Sequence, residues 1–156
     1  MQFSNRFTLA VHILVCIDTF SKDNKITSEY LANSTGVNGV TVRNILGQLK
    51  AAGLVEIARG TGGALLTRSS AEITLLDIFN AVEKIENDEL FHFHESPSTE
   101  CPVGRNIHLM LDPKLEAIHS SFVKELRDCS LADIKANASR RLANRYGLRL
   151  HNPSAE

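Results

Sequence analysis

Between residues 38 and 50 the chain carries Asn38, Thr41, Arg43, Asn44, Gln48 and Lys50. Wound into a helix, this polar set faces away from Val42, Ile45, Leu46 and Leu49, whose i, i+3, i+4, i+7 spacing makes one apolar stripe. The chemistry open to such side chains is hydrogen bonding to flat edges. An arginine fork donates two parallel bonds to guanine, asparagine and glutamine pair with adenine, and threonine reaches base or phosphate. Arg59 follows in the run Arg59-Gly60-Thr61-Gly62-Gly63, with Thr61 beside it. An arginine on a tip of that kind suits a narrow minor groove, where negative potential is concentrated. Lys50, Arg68 and Arg6 are candidates for phosphate, which fixes register without reading sequence. Taken singly, each of these residues also fits the wet face of a surface helix; only their arrangement selects the sharper reading.

A second kind of chemistry rests on sulfur and imidazole. Cys16, Cys101 and Cys129 form no CxxC pair, and an odd count gives no disulfide framework. Cys101 lies in the run 98–104, just before a predicted long helix. A helix N-terminus stabilises a thiolate, and Pro102 suits the first helical position, whereas the nearby Glu100 opposes ionisation. Cys101 is therefore the sensor candidate, against the reading of an inert, half-buried thiol. His92, His94, Cys101 and His108, joined by His12 or His119, are weak metal candidates: their donors suit zinc, copper or iron, but the spacing matches no standard site. A third reading gives the same region to a small molecule or a partner protein. Cys16 reads as core, and Cys129 fits either a buried or a free thiol.

The elements that position these residues follow from periodicity and punctuation. Residues 3–20 place Phe3, Phe7, Ala10, Ile13, Leu14, Ile17 and Phe20 at helical spacing. Thr27 is a cap for a short helix over 28–33, Gly36 breaks the pattern, and a second helix runs from 38 to 52 with Gly53 at its left-handed end. Gly47 in mid-helix costs roughly 1 kcal/mol against alanine, so it is expected to relieve crowding against the first helix or against DNA. A short helix, a glycine turn and a longer helix make a helix-turn-helix. Strands over 54–58 and 64–67 around the glycine-rich tip make a hairpin, and a hairpin in that place is a wing. An amphipathic helix is expected over 73–83 and a loop over 87–102. A long helix is expected over 103–128, its apolar side made by Ile107, Leu111, Leu115, Ile118, Phe122 and Leu126, the expected dimer interface. Asp112-Pro113 should kink or restart it. Ser130 caps a last short helix over 131–136, and the basic stretch beyond Asn137 is open to helix as well. The fold class is mainly α: a winged helix-turn-helix domain (1–83), a sensor loop (84–102), a dimerisation helix with a short return helix (103–136) and a basic tail (137–156).

Composition agrees with a globular chain, with 43% hydrophobic and 22% charged residues. The net charge of −1 hides a split: residues 1–70 carry seven Lys/Arg against four Asp/Glu, residues 71–156 ten against fourteen. A nucleic-acid surface in the first half is compatible with that segregation. The longest apolar stretch, residues 9–17, contains His12 and is too short for a membrane span, and the opening Met1-Gln2-Phe3-Ser4 lacks a secretion signal, so the chain reads as cytoplasmic. No phosphate loop, HExxH or GxSxG is present, and Gly60-Thr61-Gly62-Gly63 lacks the Lys-Ser/Thr of a P-loop; no enzyme is expected. A winged-helix module for protein contact without DNA is the rival reading.

The runs 42–55, 59–63 and 73–78, with Phe7-Thr8-Leu9-Ala10-Val11-His12 and Ser130-Leu131-Ala132-Asp133-Ile134, resemble the Rrf-two family of bacterial transcriptional regulators over roughly residues 1–135. The resemblance implies a homodimer with crossed long helices on a two-fold-symmetric operator of double-stranded DNA, with Thr41, Arg43 and Asn44 on the reading helix and Arg59 in the wing. Many members hold an iron–sulfur cluster on three cysteines before the long helix. This sequence departs from that pattern: between residues 86 and 112 it has Cys101 alone, so no cofactor is expected. Members with a lone thiol there sense oxidants or electrophiles, which makes a redox-responsive repressor the expected function.

Overall fold

The computed structural model describes residues 5–58, 63–83, 90–91 and 95–146. Within them, α1 (Arg6–Phe20), α2 (Ser28–Thr35), α3 (Gly39–Ala51), β1 (Val55–Ile57), β2 (Ala64–Leu66), α4 (Leu75–Val82), α5 (Pro102–Asp128) and α6 (Leu131–Tyr146) follow in that order. This is the expected mainly helical chain with an antiparallel hairpin directly after a helix pair.

The core forms around α1, whose Ala10, Ile13, Leu14 and Ile17 are fully buried. They meet Leu31 of α2, Val42, Ile45 and Leu49 of α3 and Ile78 of α4. Burying an aliphatic side chain of this size contributes about 1.5–3 kcal/mol. The apolar stripe of α3 is thus the anchor that holds its opposite face rigid.

Local chemistry fixes the ends of the helix pair. The Thr27 hydroxyl accepts the Tyr30 N–H at 3.1 Å, and α2 ends on Gly36 at φ 72°. Without a Cβ, that residue enters the left-handed region at no steric cost. At the end of α3, Gly53 (φ 71°) donates to the Lys50 carbonyl at 3.0 Å and Leu54 to the Leu49 carbonyl at 2.9 Å. This is a Schellman motif, and the buried Leu49 and Leu54 supply its apolar contact.

Two matching caps join the C-terminal helices to the wing domain. Thr74 and Asp77 form a reciprocal capping box on α4, and Ser130 and Asp133 bond each other in the same way on α6. Thr74 and Ser130 then pair as an antiparallel bridge. Leu75 donates to the Cys129 carbonyl and Leu131 to the Ile73 carbonyl, both at 2.8 Å. Leu131 is fully buried, and Lys135 reaches Asp18 of α1 at 2.8 Å.

Burial works to raise the Asp77 pKa, but the Thr74 N–H, the Thr74 side chain and Arg68 outweigh it and hold the carboxyl below its usual value. A depressed carboxylate stabilises the fold fully above the unfolded pKa and stops doing so as pH falls through the folded one. Asp77→Asn should lower the melting temperature modestly at neutral pH and flatten its decline below about pH 4. An acid limb identical to the parent's would show that the box adds no stability.

Two expectations are narrowed at the C-terminal end. Of the two effects expected of Pro113, a restart does not occur, since it lies inside an unbroken helix. The carbonyl that loses its donor belongs to Leu109; both Pro113 and Leu109 (78% exposed) lie on the solvent side, where water can take that acceptor. α6 does not end at 136 but continues to Tyr146, carrying part of the basic segment as helix.

Candidate nucleic-acid interface

Asn38 caps α3: its Oδ1 accepts the Thr41 N–H at 2.9 Å and the Thr41 hydroxyl at 3.2 Å. Both residues stand in the expected place; the Asn38 carbonyl oxygen and the Thr41 hydroxyl proton hold the first turn of the helix, which leaves the Asn38 amide donors for another partner. Arg43, Asn44, Gly47 and Lys50 are exposed along the side opposite the buried stripe. Arg43 lies back along the helix, since a Cβ built on Gly39 would come 3.2 Å from its guanidinium. It also lines a cleft of about 340 Å³ between α3, the wing root and the segment before α2, with Thr27, Ser28, Ala58 and Gly63.

Gln48 differs from expectation. It is half-buried, and its Oε1 is shielded from solvent without a hydrogen-bond partner among the described residues. For Gly47 one of the two expected reasons falls away: a Cβ built there meets nothing within 4 Å among the described residues, so crowding against the first helix is not its cause. Arg68, expected at a phosphate, is tied to the Asp77 carboxylate at 3.1 Å and the Glu72 carbonyl at 3.2 Å, and so braces the wing against α4.

The wing is short. Val55 pairs with Leu66, Glu56 with Leu65 and Ile57 with Ala64. Its root is sewn to the segment before α2 by the Ala64 N–H, which donates to the Ile26 carbonyl at 2.9 Å. Arg59 and Thr61 lie outside the described residues, as do His92, His94 and Phe3.

Cys101 is the exposed N-cap of α5, followed by Pro102 at the first helical position. Its Sγ makes no capping hydrogen bond of ordinary geometry, yet the Gly104 and Val103 N–H groups face it and hold the thiol below its usual pKa. The preceding loop folds back on this turn. A Cβ on Gly104 would lie 2.3 Å from the Ser98 carbonyl oxygen, and Arg105 Nε donates to the Thr99 carbonyl at 3.0 Å. Cys129 caps the opposite end of α5, where burial, then Asp133 and Glu125, push its thiol up. Cys16 is buried beside Ser34, whose hydroxyl lies 3.3 Å from its Sγ and 3.2 Å from His12 Nε2. His108 contacts Asp112 at 3.3 Å, and no group of three metal-binding side chains comes together among the described residues.

Among the described residues, α5 buries no side chain fully. Phe122, expected to face a partner, packs edge-on against Phe79 of α4 at 5.5 Å. The exposed apolar strip lies to one side of it, through Val103 (60% exposed), Met110 (64%), Leu111 and Ile118 (51%), with the half-buried Ile107 among them. Leu115 and Leu126 are half-buried on the Phe122 side.

The reading helix, wing and long helix stand in one chain, and residues 3–137 match the family model Rrf2, described as an iron-dependent transcriptional regulator. The chain belongs to the Rrf2 family. It is a winged helix-turn-helix DNA-binding transcriptional regulator. It is 39% identical over 133 residues to YwnA of Bacillus subtilis (strain 168), a candidate HTH-type transcriptional regulator, covering 85% of this chain and 96% of that one. It is also similar to the crystal structure of a candidate DNA-binding protein at 35% identity and TM-score 0.65, covering 83% of this chain and 97% of the other. T. potens IscR shares the fold at 20% identity and TM-score 0.68, with 90% of each chain covered. No helix among the described residues of this Rrf2 chain is long and apolar enough to cross a membrane.

The iron in the family description can be tested against the thiols of this chain. Iron–sulfur clusters are held mainly by cysteine thiolates. Cys101 and Cys129 sit at the two ends of a 27-residue helix, about 40 Å apart at 1.5 Å per residue, and Cys16 is buried in α1. The thiolates of one chain therefore do not converge, and the residues present do not fit a three-cysteine cluster.

Sequence reasoning missed three features here. Val40, exposed on α3, stood outside both the polar set and the apolar stripe. Gly63 read as a turn residue and Gly104 as part of the long helix, although each is a point of close backbone approach. The Thr74 cap carried a signal that could have found it, an acid three residues on.

Proposed function

We propose that this regulator binds a two-fold-symmetric operator as a homodimer in the cytoplasm, with α3 in the major groove. The observation that carries the reading is the outward face of α3, where exposed Arg43, Asn44 and Lys50 are mounted on fully buried Val42, Ile45 and Leu49. A rigidly anchored helix can present a guanidinium to guanine and an amide to adenine at fixed register. Asn38 and Thr41 serve the same surface by fixing its first turn, Arg59 and Thr61 belong to the wing tip, and Gly47 leaves the helix backbone open to close approach.

The test is binding to duplexes selected from a random pool, measured over a salt series. Phosphate contacts make log affinity fall linearly with log salt, with slope about −0.9 per phosphate neutralised. Arg43→Ala should cost roughly tenfold to a hundredfold on the selected site while changing non-specific binding less. Parallel losses on both would make Arg43 a phosphate contact, and a flat salt response would remove DNA from the reading.

The exposed apolar strip of α5 supports dimerisation, because a patch of that kind is costly to leave in water. The signal is a separate matter, and here Cys101 is favoured as a redox-responsive thiol. Exposure and the two N–H groups of the first turn of α5 both raise its reactivity at neutral pH. With a limiting alkylating reagent followed by mass spectrometry, Cys101 should be labelled first, Cys129 later and buried Cys16 last. Labelling of Cys129 ahead of Cys101 would end the sensor reading.

A further inference from the structure

On the outward face of α3 stands a side chain that fits neither hydrogen bonding nor phosphate binding. Val40 is the second residue of the helix and is 58% exposed. Arg43, Asn44 and Gly47 follow at i+3, i+4 and i+7, so all four share one face. Among the described residues nothing accounts for valine there. It lies outside the core cluster, and a β-branched residue is a poorer helix former than alanine or a long polar residue at an exposed site.

The major groove offers one apolar group, the C5-methyl of a pyrimidine, which unmodified DNA supplies only as thymine. In a helix-turn-helix the first residues of the second helix reach base edges, and Val40 is one of them. The neighbouring cation of Arg43 favours a polyanion on this face over an apolar protein surface. Gly47, where an added Cβ would meet nothing within 4 Å among the described residues, lets a duplex approach the helix two turns further on. We infer that Val40 is a specificity determinant that reads a thymine methyl group in each operator half-site. The inference rests on the DNA-binding reading above and assigns one base type within it.

The experiment uses the full-length protein and a duplex selected from a random pool. Each thymine of that duplex is replaced in turn by deoxyuridine, which deletes the methyl and leaves base pairing intact. One symmetry-related pair of replacements should weaken wild-type binding about fourfold per half-site, the worth of one buried methyl-sized group. The Val40→Ala variant should bind the dU duplex nearly as well as the parent does and should lose the dT-over-dU preference. Val40→Thr, isosteric but polar, should lose part of it.

The inference is overturned if no dT→dU replacement matters, or if Val40→Ala keeps the full preference. It is also overturned if Val40→Ala changes the sedimentation of the DNA-free protein, since a second copy would then cover this residue. Failure of the wild-type protein to select any duplex sinks the DNA-binding reading first. Selection of a duplex that is indifferent to methyl groups sinks the Val40 assignment only.

Discussion

Ile118→Asp is expected to sediment as a monomer at micromolar concentration and to lose at least about a hundredfold in affinity for a two-fold operator. Ile118 is 51% exposed and belongs to the strip with Val103, Met110 and Leu111. A carboxylate placed there would be buried without a partner in any dimer using that strip, which costs several kcal/mol. It remains hydrated in the monomer, so the melting behaviour of the isolated fold should change little. Loss of one half-site contact removes an avidity gain that commonly reaches 10²–10⁴. Phe122→Asp is the poorer probe, because it would also break the Phe79 contact within the chain. An Ile118→Asp protein that still runs as a dimer would place the interface elsewhere than on this strip.

Gly63→Ala should destabilise the fold by about 1–3 kcal/mol and weaken DNA binding at the same time. No positive φ is involved at this position; the reason is space. The added Cβ would lie 2.5 Å from the Ile26 nitrogen and 3.0 Å from its carbonyl oxygen, and backbone atoms cannot swing aside. Relief requires the wing root to move off the segment before α2, which strains or breaks the bond from Ala64 N–H to Ile26. That segment leads into the helix pair, so the wing would lose its orientation relative to α3. Chemical denaturation and operator binding should therefore fall together. Unchanged stability would mean that the close approach is loosely held and that the wing is placed by other contacts.

The two predictions differ in how far the sequence foretold them. An apolar side of the long helix was legible along residues 107–126, yet which of its residues the fold itself covers was not. Heptad-like spacing counts Phe122 and Ile118 as neighbours on one stripe, and only the position of α4 divides them. Gly63 was legible as a glycine in a turn, whereas its function is to admit another backbone from residue 26, far away in sequence.

Local order was the part the chain declared for itself. The stripe at Val42, Ile45, Leu46 and Leu49, the Thr27 and Ser130 caps and the left-handed Gly53 are interactions spanning at most a few residues, so the order of residues suffices to specify them. The polar face of α3 followed by subtraction from its buried one. Tertiary structure decided what those side chains are free to do. It turned Gln48 inward, tied Arg68 to Asp77 and left Val40 in the open. The physical reason is that caps and stripes depend on spacing along one helix, whereas availability to a ligand depends on which distant element arrives beside a residue first.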